Sequence, residues 1–202
     1  VGLYFLLFFI RRRHDRENLF FAIFVLALVI YSTLRTQLKY ELGFELYNLK
    51  RIQYISLCMF FPSFYFFIRS YFPLPATARW VRYFDWLFAA LNTVPIACMG
   101  IAFFTDLRFW DFLNNQVVQV TWAFTATGIL FIIFREIRAK NRDAYLMAIG
   151  ILTLLVTGIL DVLAGQALIN LPTLTTYSFT FFVLGMALIL ANRFVRLHNE
   201  TE

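Results

Sequence analysis

At 202 residues, 61% of them apolar or aromatic and only 15% charged, the chain carries more apolar surface than a domain of this length can enclose in a core of its own. That excludes an ordinary water-soluble globule and requires lipid as the covering phase. The net charge of +6 does not indicate nucleic-acid binding either, because the basic residues gather at the ends of apolar stretches, where anionic headgroups attract them.

A bilayer-spanning helix needs roughly 20 mostly apolar residues. The stretches that meet or approach this are 1–10, 18–37, 52–72, 83–104, 115–134, 144–164 and 174–192. The expected fold class is therefore all-α: a polytopic membrane protein, one domain formed by a seven-transmembrane helix bundle. The first stretch crosses only half the hydrocarbon at about 1.5 Å per residue. Since the chain opens on Val1, this stretch reads as a truncated first helix, cut from something longer. A secretory signal would place its basic residues before the apolar run, but Arg11, Arg12, Arg13 and Arg16 follow it.

Basic residues fill every second gap. Arg11, Arg12, Arg13 and Arg16 come after the first stretch; Arg69, Arg79 and Arg82 surround the third gap; Arg135, Arg138, Lys140 and Arg142 occupy the fifth; Arg193 and Arg196 close the chain. The alternate gaps hold only Arg35, Lys39, Lys50, Arg51 and Arg108. The positive-inside rule then puts the first set and the C-terminus in the cytoplasm, and the N-terminus outside.

The outer gap at 38–50 mixes Tyr40, Leu42, Phe44, Leu46 and Tyr47 with Lys39, Glu41, Glu45 and Lys50, a composition expected of a short amphipathic helix lying in the interface. Pro73 and Pro75 should end the third span, and Pro172 should open the seventh helix. Pro62 and Pro95 lie within spans and predict kinks, either as packing features or as hinges. Tyr31, Tyr40 and Trp110 on the outer side, with Tyr71, Trp80 and Tyr145 on the inner, are placed as aromatic belts would be. Most of the 26 Phe are read as lipid-facing or core residues without a ligand role. Cys58 and Cys98 fall inside spans without Cys-x-x-Cys spacing, so they read as packing residues, not as a disulfide framework or a zinc site.

Ionisable side chains in hydrocarbon are costly and mark candidate functional positions. Arg35, late in the second span, and Asp161, late in the sixth, have similar depth in the outer third and are candidates for an ion pair. The alternative is that Arg35 snorkels to the headgroups while Asp161 faces a watery vestibule. Gly150, Thr153, Thr157, Asp161 and Gly165 recur every three or four residues and share an inward face. Gln116, Gln119, Ala123 and Thr127 form a similar stripe on the fifth span, and Asp85, Ala89 and Asn92 on the fourth. Such stripes are either a polar cavity or the small-residue and hydrogen-bonding contacts by which membrane helices pack. Asp85 has a local explanation as well, because an acid in a first helical turn is favoured by the dipole. The intramembrane polar residues proposed for signal coupling are thus Arg35, Asp161, Thr157, Asn92 and Gln119.

Several function classes fail on residue content. A rhomboid-like serine protease needs Gly-x-Ser-Gly and an intramembrane histidine, but the histidines, His14 and His198, sit at the cytoplasmic edge. An opsin needs a lysine in its last span, and Lys39, Lys50 and Lys140 are elsewhere. Zinc-protease, phosphate-loop and dinucleotide fingerprints are missing, so no catalytic constellation and no cofactor is expected. Transport is disfavoured by the odd number of spans without visible inverted repeats.

The two ends of the chain carry a resemblance. Gly2-Leu3-Tyr4-Phe5-Leu6-Leu7-Phe8-Phe9-Ile10 runs into a basic turn with Asp15-Arg16-Glu17-Asn18-Leu19 and an aromatic restart at Phe20-Phe21. Similar patches follow at Tyr31, Leu34-Arg35, Ile52-Gln53-Tyr54, Phe72-Pro73 and Asp161, closing on Phe182-Val183-Leu184-Gly185-Met186-Ala187-Leu188-Ile189-Leu190-Ala191-Asn192-Arg193-Phe194. Across its whole length the chain resembles the bacterial seven-transmembrane receptors with diverse intracellular signalling modules. The resemblance implies a multi-pass protein of the bacterial inner membrane that relays a signal from an extracytoplasmic sensor domain to a cytoplasmic histidine kinase, nucleotide cyclase or phosphatase, both lying outside this sequence. It also implies homodimerisation. Residues 193–202 would start the cytoplasmic signalling helix, or be a frayed basic end of the last span. The competing readings are a small-molecule transporter and a structural membrane subunit.

Overall fold

In lipid a spanning segment satisfies its backbone only as a helix or within a closed barrel, and among the described residues every regular element is helical. The computed structural model describes residues 2–11, 16–35, 43, 45–75, 79–102, 104–165 and 175–199. In chain order the elements are α1 (Gly2–Arg11), α2 (Arg16–Arg35), α3 (Leu46–Tyr71), α4 (Arg79–Ala102), α5 (Leu107–Leu113), a π-helical turn (Asn114–Val118), α6 (Gln119–Arg138), α7 (Arg142–Gly165) and α8 (Thr175–Asn199). Among the described residues, four helical stretches are long and apolar enough to cross a membrane: Arg16–Leu34, Leu46–Tyr71, Arg79–Ile101 and Arg108–Arg138. Tyr177–Arg193 is a shorter apolar helix.

Local sequence explains the helix ends. Phe72 donates its amide to the Ile68 carbonyl (2.9 Å) and Pro73 follows, so α3 stops where proline forbids a further turn. At the end of α6, Lys140 takes φ +60°. The Lys140 amide reaches the Ile137 carbonyl at 2.9 Å and the Asn141 amide reaches that of Glu136 at 3.0 Å, the paired closure of a Schellman cap. Asn141 then accepts the Asp143 amide at 3.1 Å and starts α7. Pro62 and Pro95 both lie within helices. Beside Pro62, the Ser63 hydroxyl donates to the Met59 and Phe60 carbonyls (2.6 and 2.9 Å), supplying hydrogen bonds where the proline ring interrupts the ladder.

Two expectations are revised. Residues 46–50 are the first turn of α3 and not part of a separate interfacial helix; most of the remaining gap, and Pro172, lie outside the described residues. The fifth span does not begin near 115, because α5, the π-turn and α6 follow one another without a break from Leu107 to Arg138.

By its contacts the chain divides into two compact units, Val1–Ile132 and Ile133–Glu202. In the first, α1 pairs with α2, α2 with α3, and α3 with α4. An aromatic ladder fastens the first three: Phe5 meets Phe21 edge-on at 5.0 Å, Phe21 meets Phe67 at 5.2 Å, and Phe24 meets Phe60 and Phe64 at 5.0 and 4.9 Å. Phe21, Phe24 and Phe67 are fully buried, and each such pair contributes about 0.5–1.5 kcal/mol beyond burial. In the second unit α7 packs on α8, with Gly150 seated against the Phe182 ring.

Candidate functional site

The first unit contains a seam of polar and aromatic side chains where α3, α4 and the 107–132 helix meet. At one end α3 carries Arg69 two residues before its last, and α4 carries Asp85 six residues after its first. Arg69 donates to Asp85 through two nitrogens, Nε to Oδ1 at 2.6 Å and Nη2 to Oδ2 at 2.7 Å. This forked arrangement is the strongest geometry open to a guanidinium and a carboxylate. The pair is partly shielded, with 20% and 40% of the two side chains exposed.

One turn along α3 from Arg69, the Tyr65 ring stacks on Phe88 of α4 (5.2 Å, 18°). The Phe88 edge occupies the space where a side chain on Gly128 would stand: a Cβ there would lie 2.4 Å from it. Glycine is thus required at 128 by close approach and not by backbone conformation. One turn beyond Phe88, Asn92 is fully buried; it donates to the Phe88 carbonyl at 2.8 Å and accepts a long contact, 3.5 Å, from the Thr125 hydroxyl. Thr121 donates to the Val118 carbonyl at 2.7 Å, and Trp122 stacks on Phe61 (4.9 Å, 20°).

The far end is built on Trp110, which packs with Cys58, Cys98 and Val118 in one buried cluster. Tyr54 of α3 stacks on Trp110 at 4.7 Å and donates its hydroxyl to the Asp111 carboxylate. Tyr54 and Arg69 are 15 residues apart on one helix, so the ends of the seam are separated by about 22 Å, most of the hydrocarbon thickness of about 30 Å. Between them the indole nitrogens of Trp110 and Trp122, the Tyr65 hydroxyl and the Asn114 side-chain oxygen are buried without a hydrogen-bond partner among the described residues.

The sequence-derived candidates fare unevenly. Asn92 is in the seam, and its stripe with Asp85 and Ala89 does face the packed side of α4. Arg35 and Asp161 have helical backbones, but their side chains lie outside the described residues, and so does the proposed ion pair. Thr157 is half-buried and its hydroxyl bonds back to the Thr153 and Leu154 carbonyls of its own helix (2.9 and 3.2 Å). Its neighbour Thr153 is exposed, and among the described side chains of α7 the buried ones are Ala144, Met147 and Ile151. Gln119 is exposed, together with Gln116, Ala123 and Thr127. The packed face of that helix is Asn114, Val118, Thr121, Thr125, Ile129 and Ile132. The belt assignments of Trp110 and Tyr71 are also corrected: both are buried, whereas Trp80 and Tyr145 are nearly half exposed.

Sequence reasoning missed the Arg69–Asp85 pair because each residue had a sufficient local explanation, one as an inner-side cation and the other as a first-turn acid. The available signal was their opposite charge at similar depth on two helices joined by a short connection.

No curated protein and no solved structure matches the chain. The model of one family, described as 7TM diverse intracellular signalling, matches residues 1–193. A helical chain with several spans of membrane-crossing length, matched over nearly its entire sequence, belongs to the 7TM diverse intracellular signalling family.

Proposed function

We propose that this chain is the transmembrane relay of a bacterial receptor, carrying a conformational change from an extracytoplasmic sensor or ligand to a cytoplasmic output domain such as a histidine kinase, nucleotide cyclase or phosphatase. In this reading the bundle has seven spans in the inner membrane, its N-terminus outside and its C-terminus in the cytoplasm, and does no chemistry itself. The observation that carries the proposal is the seam: hydrogen-bonding groups run across most of the bilayer thickness from Tyr54–Asp111 to Arg69–Asp85.

A relay needs two packings that differ by a few kcal/mol and a signal that prefers one of them. The seam supplies suitable groups. A buried polar atom without a partner costs about 1–3 kcal/mol, so Trp110, Trp122, Tyr65 and Asn114 give an alternative arrangement something to gain. The Arg69–Asp85 fork holds the present one. Because α3 carries both Tyr54 and Arg69, a shift at one end reaches the other along one helix, past the Ser63-supported turn at Pro62.

The test is a chimera in which α8 is joined in helical register to a cytoplasmic cyclase, with product measured in intact cells. Asp85→Asn and Arg69→Gln should each shift basal output in the same direction while the protein still inserts. Unchanged output in both variants would remove the seam from the relay, and reporter fusions placing the end of α8 in the periplasm would remove the relay itself.

A further inference from the structure

The second unit carries a groove of about 440 Å³ between α7 and α8, lined by residues that include Leu146, Gly150, Thr153, Phe181, Gly185 and Asn192. Its volume falls in the range of small-molecule sites, about 300–1,000 Å³, but its shape differs from theirs. Along α8 it extends from Ser178 to Asn192, 14 residues or about 21 Å, and its walls are mainly apolar. A long, narrow, apolar trough parallel to membrane helices fits an extended acyl chain better than a compact solute. It is open beside Gly185, where an added Cβ would meet nothing within 4 Å, while at Gly150 the Phe182 ring closes it.

One end of the trough lies beside a concentration of positive charge. Arg142 stands four residues before Leu146 and so lies on the same face of α7, one turn beyond the groove. Lys140 and Arg138 are exposed in the adjoining turn. Lys140 holds φ +60°, a conformation that favours glycine and costs a side-chain-bearing residue about 1–2 kcal/mol. Arg135 is not part of this free positive charge, since its Nη1 pairs with the Glu136 carboxylate at 3.9 Å. The other oxygen of that carboxylate accepts the Asn141 amide at 3.3 Å.

We propose that this face holds one anionic phospholipid, with an acyl chain along the α7–α8 groove and its phosphate against Arg142 and Lys140. The two observations are independent: the groove selects a chain and the turn selects a negative headgroup. The proposal does not depend on the relay.

The test is native mass spectrometry of the full chain released from bilayers of equal phosphatidylglycerol and phosphatidylcholine, with retained lipid counted. One phosphatidylglycerol should be held roughly 25-fold over phosphatidylcholine, the ratio expected for two basic contacts at the surface. Arg142→Gln, a change at an exposed position, should lower the preference to about fivefold, and Arg142→Gln with Lys140→Gln should abolish it. Gly185→Phe, which fills the open part of the groove, should abolish retention of either lipid. Arg79→Gln with Arg82→Gln, which removes charge from the first unit, should change neither. Retention unaffected by Gly185→Phe would overturn the proposal, since another part of the chain would then occupy the groove. Equal loss of preference in the Arg79/Arg82 control, or no preference in the parent protein, would overturn it as well by reducing the headgroup contact to diffuse attraction.

Discussion

The two units differ in where some of their polar side chains find partners. In the first, Arg69 reaches Asp85, Tyr54 reaches Asp111, and Thr125 reaches Asn92, so these three pairs join separate elements, beside hydroxyls such as those of Ser63 and Thr121 that bond within their own helix. In the second, Thr153 and Thr157 turn back onto carbonyls of their own helix at 2.9 Å each, and Gly150 of α7 meets the Phe182 ring of α8. Cross-helix bonds fix register, because each works at one relative position only. A face whose hydroxyls are satisfied internally permits many positions at similar energy. The contrast therefore places register-fixing polar pairs between elements of the first unit, while the Thr153 and Thr157 hydroxyls put no such constraint on the pairing of α7 with α8.

Substitutions can break this contrast, and the first unit has its own reporter. Cys58 and Cys98 are buried in it, so their reaction with a thiol dye on heating marks its unfolding. The largest effect belongs to the fork. Asp85→Ala leaves Arg69 without its partner and should destabilise by about 2–4 kcal/mol, somewhat less than a fully buried pair would lose because Asp85 is 40% exposed. Arg69→Leu combined with Asp85→Leu should be milder than either single change; additive losses would show that the pair is not coupled. Next comes Gly128→Val, which drives a side chain into Phe88 and should cost about 1–3 kcal/mol, with Phe88→Leu restoring part of it. If Gly128→Val melted with the parent protein, the close packing of α4 against α6 would be refuted. The smallest effect is expected from Thr153→Ala with Thr157→Ala, which removes only bonds within one helix and should stay within about 0.5 kcal/mol. A large destabilisation there would mean that α7 too is held by specific polar contacts.

Four of the apolar stretches, 18–37, 52–72, 83–104 and 115–134, were legible as membrane-crossing helices because length and apolar content suffice for them, and Pro73 marked the end of α3 for a reason that needs no tertiary context. Which face of each helix packs was less legible. In water an apolar stripe identifies the core, but in lipid both faces of a helix are apolar and the contrast disappears. Thr121 and Thr125 are buried while Thr127 is exposed, and nothing in residue type separates them. On α4 the phase was readable only because Asn92 and Asp85 are too polar for the lipid side. Asp85 itself was misassigned to its own helix terminus, since partnership across 16 residues depends on how two helices cross. The orphaned indole of Trp110 was hidden for a related reason: tryptophan near a span end normally anchors at the interface, and only the packing of Tyr54 against it draws it inside.

The π-helical turn has one more consequence. An α-helix advances 100° per residue, so the single extra residue in Asn114–Val118 offsets everything after it by nearly a third of a revolution relative to Leu107–Leu113. Across the turn Trp110, Val118, Thr121 and Thr125 all remain buried, despite the steps of eight, three and four between them. Excising one residue from the turn would restore a uniform screw and leave Val118, Thr121 and Thr125 on the side that carries Trp110. A single peptide unit is thus absorbed inside the turn, and the surfaces on either side of it keep the facing of a helix one residue shorter.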